Sequence, residues 1–159
     1  MKILVLSDSH GVTQLMEDVV RKHVNDVACV LFLGDCLEDC EKIASKFQSA
    51  TFHVVPGNCD YCSDLPKELM IKVGSKRILM CHGHNHSVKM NYDRIISFAT
   101  AKRADICLFG HTHVPISFEK NGILFLNPGS IAEPRGTKRK SYAVVEILGD
   151  AVLSKIIEA

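Results

Sequence analysis

An α/β fold with two sheets packed between helices is predicted by three observations. Short, β-branched apolar runs recur along the chain, and they are continuous rather than alternating, as strands covered on both faces should be. Stretches with helical spacing separate several of these runs. Beyond Val114 the runs come in pairs around Gly or Asp turn residues, as hairpins do. A single mixed sheet is the alternative arrangement of the same elements.

Ile3–Leu6 opens the series. Val12, Leu15, Met16, Val19 and Val20 follow with the spacing of one apolar helical face. Val27–Leu33 is the second strand, Glu38–Phe47 a weaker helix and Phe52–Val55 the third strand. This βαβαβ order implies parallel strands joined by crossover helices. Glu68–Val73 and Arg77–Cys81 pair around Gly74-Ser75. Val88, Tyr92, Ile95, Ile96 and Ala99 predict another helix before Ile106–Phe109. Ile116–Glu119 and Ile123–Leu126 flank Gly122, and Tyr142–Ile147 and Val152–Ile156 flank Asp150.

The 159 residues, 47% hydrophobic and 23% charged, suit one domain spanning 1–159. A fold of this size buries about 70% of the surface its unfolded chain exposes. A disordered or collagen-like chain is excluded by this composition. The net charge of +1 carries no broad footprint of a nucleic-acid groove or an anionic-membrane surface. No apolar stretch approaches the roughly 20 residues of a membrane span, and the start of the chain lacks the roughly 7–15 of a signal peptide. Seven cysteines cannot pair completely, and Cys29, Cys81 and Cys107 sit in apolar strand runs as small buried hydrophobes. The expectation is a reduced, cytoplasmic protein without a membrane partner; homo-oligomerisation stays open. Cys59-Asp60-Tyr61-Cys62 is a C-x-x-C, but it does not open a helix after a strand as a redox pair should.

The functional signal is positional. Ile3–Leu6 runs into Ser7-Asp8-Ser9-His10, Val27–Leu33 into Gly34-Asp35, and Phe52–Val55 into Pro56-Gly57-Asn58. Arg77–Cys81 runs into His82-Gly83-His84, and Ile106–Phe109 into Gly110-His111-Thr112-His113. Ligands of open α/β sheets bind beyond the carboxyl ends of strands. Singly, each piece is weak, because a Gly-Asp after a strand is commonly a turn or cap. Five such ends together point to one shared centre. Imidazole, carboxylate and amide oxygen suit borderline divalent ions such as Mn, Fe, Ni or Zn. Seven donors exceed one tetrahedral ion and divide into two sites sharing a carboxylate, with ions about 3.5–4 Å apart. Two dications outweigh two carboxylates and a bridging hydroxide, so the centre attracts phosphate.

These motifs, with Asn127-Pro128-Gly129-Ser130 downstream, resemble the calcineurin-like metallophosphoesterase superfamily, in particular its small bacterial and archaeal phosphodiesterase branch. The resemblance runs from Ser7 to about Arg135. It implies a four-layer α/β/β/α sandwich of two mixed sheets flanked by helices. It also implies that Asp8, His10 and His113 hold one ion, that Asn58, His82 and His111 hold a second, and that Asp35 bridges both. Manganese is the family's common metal, with iron, nickel and zinc among relatives. The implied reaction is hydrolysis of a small phosphate ester, a diester ahead of a monoester, by attack of a metal-bridging hydroxide. A protein-binding scaffold of the same fold is the non-catalytic alternative, and a decayed ligand set would mark it.

Asn58 and His82, with their neighbours Cys59 and His84, are the candidate catalytic residues. Larger relatives carry a His after the Asn; Cys59 stands there, and a thiol is a poorer proton donor than imidazolium near neutral pH. His84 and His86 are neighbours of the centre or solvated side chains. Asp60 orients a ligand or caps a turn. Asn127–Ser130 offers backbone N–H groups to the cleft or is a plain turn. Arg135 is the candidate substrate contact, at the head of the basic run 135–140.

Overall fold

A computed structural model describes residues 1–136 and 138–159; Thr137, inside the basic run just named, lies outside the described residues. The first half of the chain comprises β1 (Lys2–Leu6), α1 (Thr13–His23), β2 (Cys29–Phe32), α2 (Leu37–Lys46) and β3 (Phe52–Val54). Then come β4 (Glu68–Val73), β5 (Lys76–Cys81), α3 (Asp93–Ala101) and β6 (Ile106–Leu108). Four further strands finish it: β7 (Ile116–Lys120), β8 (Ile123–Asn127), β9 (Ser141–Leu148) and β10 (Ala151–Glu158). Strand order is β10-β9-β1-β2-β3 in one five-stranded sheet and β4-β5-β6-β8-β7 in the other. Both sheets are mixed: β1 pairs parallel with β2 but antiparallel with β9, and β5 pairs parallel with β6 but antiparallel with β4.

Continuous apolar runs make sense because the inner strands feed two cores each, whereas the edge strand β7 feeds one, through Ile116 and Phe118. Ile3 and Val5 of β1 face the space between the sheets with Leu31, Ile78, Met80, Ile106 and Leu108. Leu4 and Leu6 face the other way, against Met16 and Val20 of α1 and Ile43 of α2. On the second sheet, Leu79, Cys107 and Phe125 meet Ile95 and Ala99 of α3. The period of two thus sorts alternate residues to opposite faces, and three cores separate four layers, α/β/β/α. Truncating a fully buried residue between the sheets, such as Leu31 to Ala, costs about 2–5 kcal/mol. No helix among the described residues is long and apolar enough to cross a membrane.

One element differs from expectation. The apolar face expected from Val88 to Ala99 is helical only from Asp93, where the Asn91 side-chain oxygen accepts the Asp93 N–H at 3.0 Å. Ser87, with φ at 55°, interrupts the path between a short 3-10 turn at His84–His86 and α3. Val88 still packs with Ile95 and Phe109. Hydrophobic spacing reported its burial, and the local backbone denied it a helix.

Candidate metal centre

The loops that leave β1, β2, β3, β5 and β6 converge at the carboxyl ends of their strands. Backbone hydrogen bonds lace them together: Asp8 N–H donates to the Gly34 carbonyl at 3.0 Å and Gly110 N–H to the His82 carbonyl at 3.0 Å. Asp8, His10, Asp35, His111 and His113 all have positive φ, between 39° and 67°. L-residues adopt that region reluctantly, so the surrounding bonds must impose it. Two glycines are required by close approach. A Cβ on Gly57 would lie 2.1 Å from Asp35 Oδ1, and one on Gly110 would lie 2.1 Å from Ser7 Oγ.

Two groups of donor atoms result, each with members within 4.8 Å of one another: Asp8, His10, Asp35 and His113 in one, Asp35, His82 and His111 in the other. Asp35 belongs to both. Asn58 joins the second, its Oδ1 lying 3.2 Å from His82 Nε2. All seven residues expected to hold metal are therefore brought together.

The orientation of these groups tests their fit to cations. His82 Nδ1 is 2.7 Å from the Leu33 carbonyl, and His113 Nδ1 is 2.7 Å from the Glu133 carbonyl. A carbonyl only accepts, so each Nδ1 carries the proton, and the Nε2 lone pair of the neutral ring points into the centre. There His113 Nε2 faces Asp8 Oδ1 at 3.0 Å, and His82 Nε2 faces Asp35 Oδ2 at 3.4 Å. Lone pairs opposed to carboxylate oxygens require a cation or a proton between them. Each carboxylate divides its labour. Asp8 Oδ2 accepts from Ser7 Oγ and from His111 N–H, while Oδ1 is buried without a hydrogen bond among the described residues. Asp35 Oδ1 accepts the Cys59 N–H at 2.9 Å, leaving Oδ2 toward His82 and His10. The residues fit divalent metal ions.

Electrostatics agree. Burial alone would raise the Asp35 pKa, but the His82 imidazole and the Cys59 N–H hold its carboxyl below the usual carboxylate range. Burial likewise opposes charge on His82, yet Asp35 and Asp8 raise its pKa. The Asp8 carboxylate, 3.0 Å from Nε2, raises the His113 pKa. Burial and the proximity of His82 and Lys89 push His111 down to about 4, so it is a neutral donor near pH 7. A field that holds carboxylates ionised and draws positive charge also draws metal ions.

Other expected residues take more specific places. Asp60 is a clamp: Oδ2 accepts N–H groups of Asp35 at 3.0 Å and Gly57 at 2.8 Å, and Oδ1 those of Cys36 at 3.0 Å and Leu37 at 2.9 Å. It therefore ties the Asn58 loop to the start of α2. The Asn127–Ser130 turn spends its polar groups inward. Asn127 Nδ2 donates to the Gly110 carbonyl at 2.8 Å and Asn127 Oδ1 accepts the Gly129 N–H, while Ser130 Oγ donates to the Asp8 carbonyl at 2.8 Å. It braces two ligand loops, and the Gly129 N–H is turned to Asn127 instead of the cleft. Asp39 was not singled out by its position; buried in α2, it accepts from Ser9 Oγ and the Gly11 N–H, both at 2.8 Å. Its only signal is an acid four residues after Asp35. The Cys59 side chain is exposed beside Asn58. The His84 ring lies 5.4 Å from that of His82 and 6.0 Å from that of His111, its Nδ1 buried without a hydrogen bond among the described residues. Arg135 donates its backbone N–H to the His113 carbonyl at 3.0 Å, with an exposed side chain.

Two mixed sheets between helices, carrying a cluster of acidic and imidazole donors at their strand ends, define a metal-dependent phosphoesterase class. The chain belongs to the calcineurin-like phosphoesterase superfamily, whose domain matches residues 1–150. It is 34% identical over 151 residues to the probable metallophosphoesterase YsnB of Bacillus subtilis, covering 95% of this chain and 87% of that protein. It is 24% identical to the phosphodiesterase YfcE of Escherichia coli, covering 92% and 88%. Among solved structures, a predicted phosphoesterase from Streptococcus pneumoniae superposes with a TM-score of 0.82 at 34% identity, over 99% and 97% of the chains. Vps29 of Entamoeba histolytica complexed with zinc superposes with a TM-score of 0.76 at 25% identity, over 99% of each.

Proposed function

We propose that the chain is a dinuclear phosphodiesterase whose mixed nitrogen and oxygen donors suit a borderline divalent ion, manganese first, as the family resemblance implies, with iron, nickel or zinc as the alternatives. Asp8, His10, Asp35 and His113 would hold one ion, and Asp35, Asn58, His82 and His111 the other. The observation that carries this reading is the membership of Asp35 in both donor groups. Bound there, two divalent ions supply a positive field that acidifies water and attracts phosphate oxygens. The similarity to a phosphodiesterase supports a diester substrate. Seven free thiols suit a reducing, cytoplasmic setting.

The chain's own residues set the conditions. Leu33 and Glu133 carbonyls fix the tautomers of His82 and His113, so their lone pairs are aimed before any ligand arrives. Ser7 and the His111 N–H fix one oxygen of Asp8, and Asp60 pins the backbone of Asp35. Lys89 and Arg135 add positive charge near His111 and His113, favouring an anionic ester. Cys59 is a weak acid beside Asn58, its thiol pushed up to about 11 by burial and the Asp35 carboxylate. Departure of an alkoxide therefore gains little protonation from it, and aryloxide leaving groups are favoured.

Turnover of bis-p-nitrophenyl phosphate and p-nitrophenyl phosphate, with added Mn, before and after chelation, tests the reading. Diester hydrolysis that is lost on chelation and restored by Mn supports it. Chelator-insensitive turnover, or none with any divalent ion, contradicts it; the scaffold alternative predicts ion binding without turnover.

A further inference from the structure

A cavity lies beside the loop that follows Asn58. It is a groove of about 620 Å³ between the first turns of α2 and the loop after Asn58, and Cys59 shares its wall. Since the Cys59 N–H donates to Asp35 Oδ1, the groove begins one residue from the candidate ligands. Its remaining lining includes apolar Leu37 and Leu65, aromatic Tyr61, and the carboxylates of Glu38, Glu41 and Asp64. No Lys or Arg lines it, although Lys42 reaches Glu38 from the next turn of α2 at 4.0 Å. Tyr61 is 89% exposed and makes no hydrogen bond or ring contact among the described residues. Carboxylates and an aromatic ring thus share the α2 groove.

We propose that this groove selects the alcohol portion of the diester that stays on phosphorus, and that it takes an ammonium-bearing alcohol of the choline type. The inference rests on the phosphodiesterase reading. An aromatic face attracts a quaternary ammonium through its quadrupole, and the nearby carboxylates add Coulombic attraction. Leu37 and Leu65 suit the methyl and methylene groups of such an alcohol, whereas a second anion there would meet like charge. In the reaction, water adds oxygen to phosphorus, the bond from phosphorus to the leaving-group oxygen breaks, and that oxygen ends protonated according to its own pKa. The phosphate monoester of the ammonium alcohol is the other product.

The test compares two diesters with the same leaving group, p-nitrophenyl phosphocholine and its uncharged isostere p-nitrophenyl 3,3-dimethylbutyl phosphate, on the Mn-loaded protein. The expected result is a kcat/KM ratio of about tenfold or more in favour of the cationic ester, the lower end of a cation–π contact reinforced by charge. In Tyr61→Ala and in Glu38→Gln/Glu41→Gln, the ratio should fall toward one. Because each ratio is read within one preparation, loss of folded protein cancels. A ratio near one in the wild type, or a ratio unchanged in both variants, overturns the inference while bis-p-nitrophenyl phosphate turnover leaves the phosphodiesterase reading intact. Failure to hydrolyse any of the three diesters overturns that reading first, and this inference with it.

Discussion

Asp60 Oδ2 accepts the backbone N–H of Asp35 at 3.0 Å, so the carboxylate shared by both donor groups is held in place by a carboxylate that belongs to neither. The same side chain takes three further N–H groups from Gly57, Cys36 and Leu37. It closes the start of α2, whose first N–H groups lack helical partners, and its negative charge lies at the helix end where charge of that sign is favoured.

Replacing Asp60 by Ala should cost about 1–3 kcal/mol of stability through unsatisfied N–H groups. It should also weaken Mn binding by about 10–100-fold, the usual effect of losing a group that orients a ligand. Thermal unfolding of the metal-free protein and calorimetric titration with Mn separate the two effects. Unchanged Mn affinity would show that Asp35 holds its place without the clamp.

Cys59→His should raise turnover of esters with poor alkoxide leaving groups, by about 10²-fold if the new imidazole reaches the leaving oxygen. Esters of p-nitrophenol should gain much less. Comparing kcat/KM for the two leaving-group classes reads the difference directly, and equal gains for both would contradict a role in leaving-group protonation.

Gly110→Ala should weaken metal binding while leaving the sheets intact. The added Cβ would meet Ser7 Oγ at 2.1 Å and Asp8 Oδ2 at 2.8 Å, displacing the hydroxyl that fixes Asp8 and the Asp8 carboxylate itself. A loss of affinity of about tenfold or more is expected from disturbing such support. Mn titration with a circular-dichroism check of the fold measures it.

His23 gives a pH dependence remote from the metal centre. Its Nε2 lies 2.9 Å from the hydroxyl of buried Tyr142, and burial with the nearby Lys22 lowers its pKa from 6.5. The folded state therefore binds fewer protons on His23 than the unfolded chain does. Stability from this group is fully present above about pH 6.5 and is lost as pH falls from there through the lower folded-state value. Wild-type Tm should fall more than that of His23→Gln between about pH 7.5 and pH 5, since Gln keeps a neutral partner for Tyr142 without titrating. Parallel curves for the two proteins would contradict the assignment.

Much of this was legible in the chain because the sheet geometry turns sequence position into spatial position. Asp8, Asp35, Asn58, His82 and His111 each follow an apolar run, and the carboxyl ends of such runs meet in this architecture. Bracing residues are harder to read. Asp39 and Asp60 work through bonds to backbone N–H groups 28 and 25 residues away, which no local pattern encodes. Asn127 and Ser130 resemble any Pro-Gly turn until the carbonyls of Gly110 and Asp8 are seen to meet them. Val88 shows the opposite case, a residue whose apolar spacing correctly reports burial and wrongly implies a helix.

The central claim is that two ions share Asp35. Mn content per chain, with the electron paramagnetic resonance spectrum of the loaded protein, tests it most directly. Two ions per chain with an exchange-coupled signal, as expected for ions about 3.5–4 Å apart, and loss of that coupling in Asp35→Asn are the predicted results. A single uncoupled Mn per chain, or coupling that survives Asp35→Asn, would contradict it.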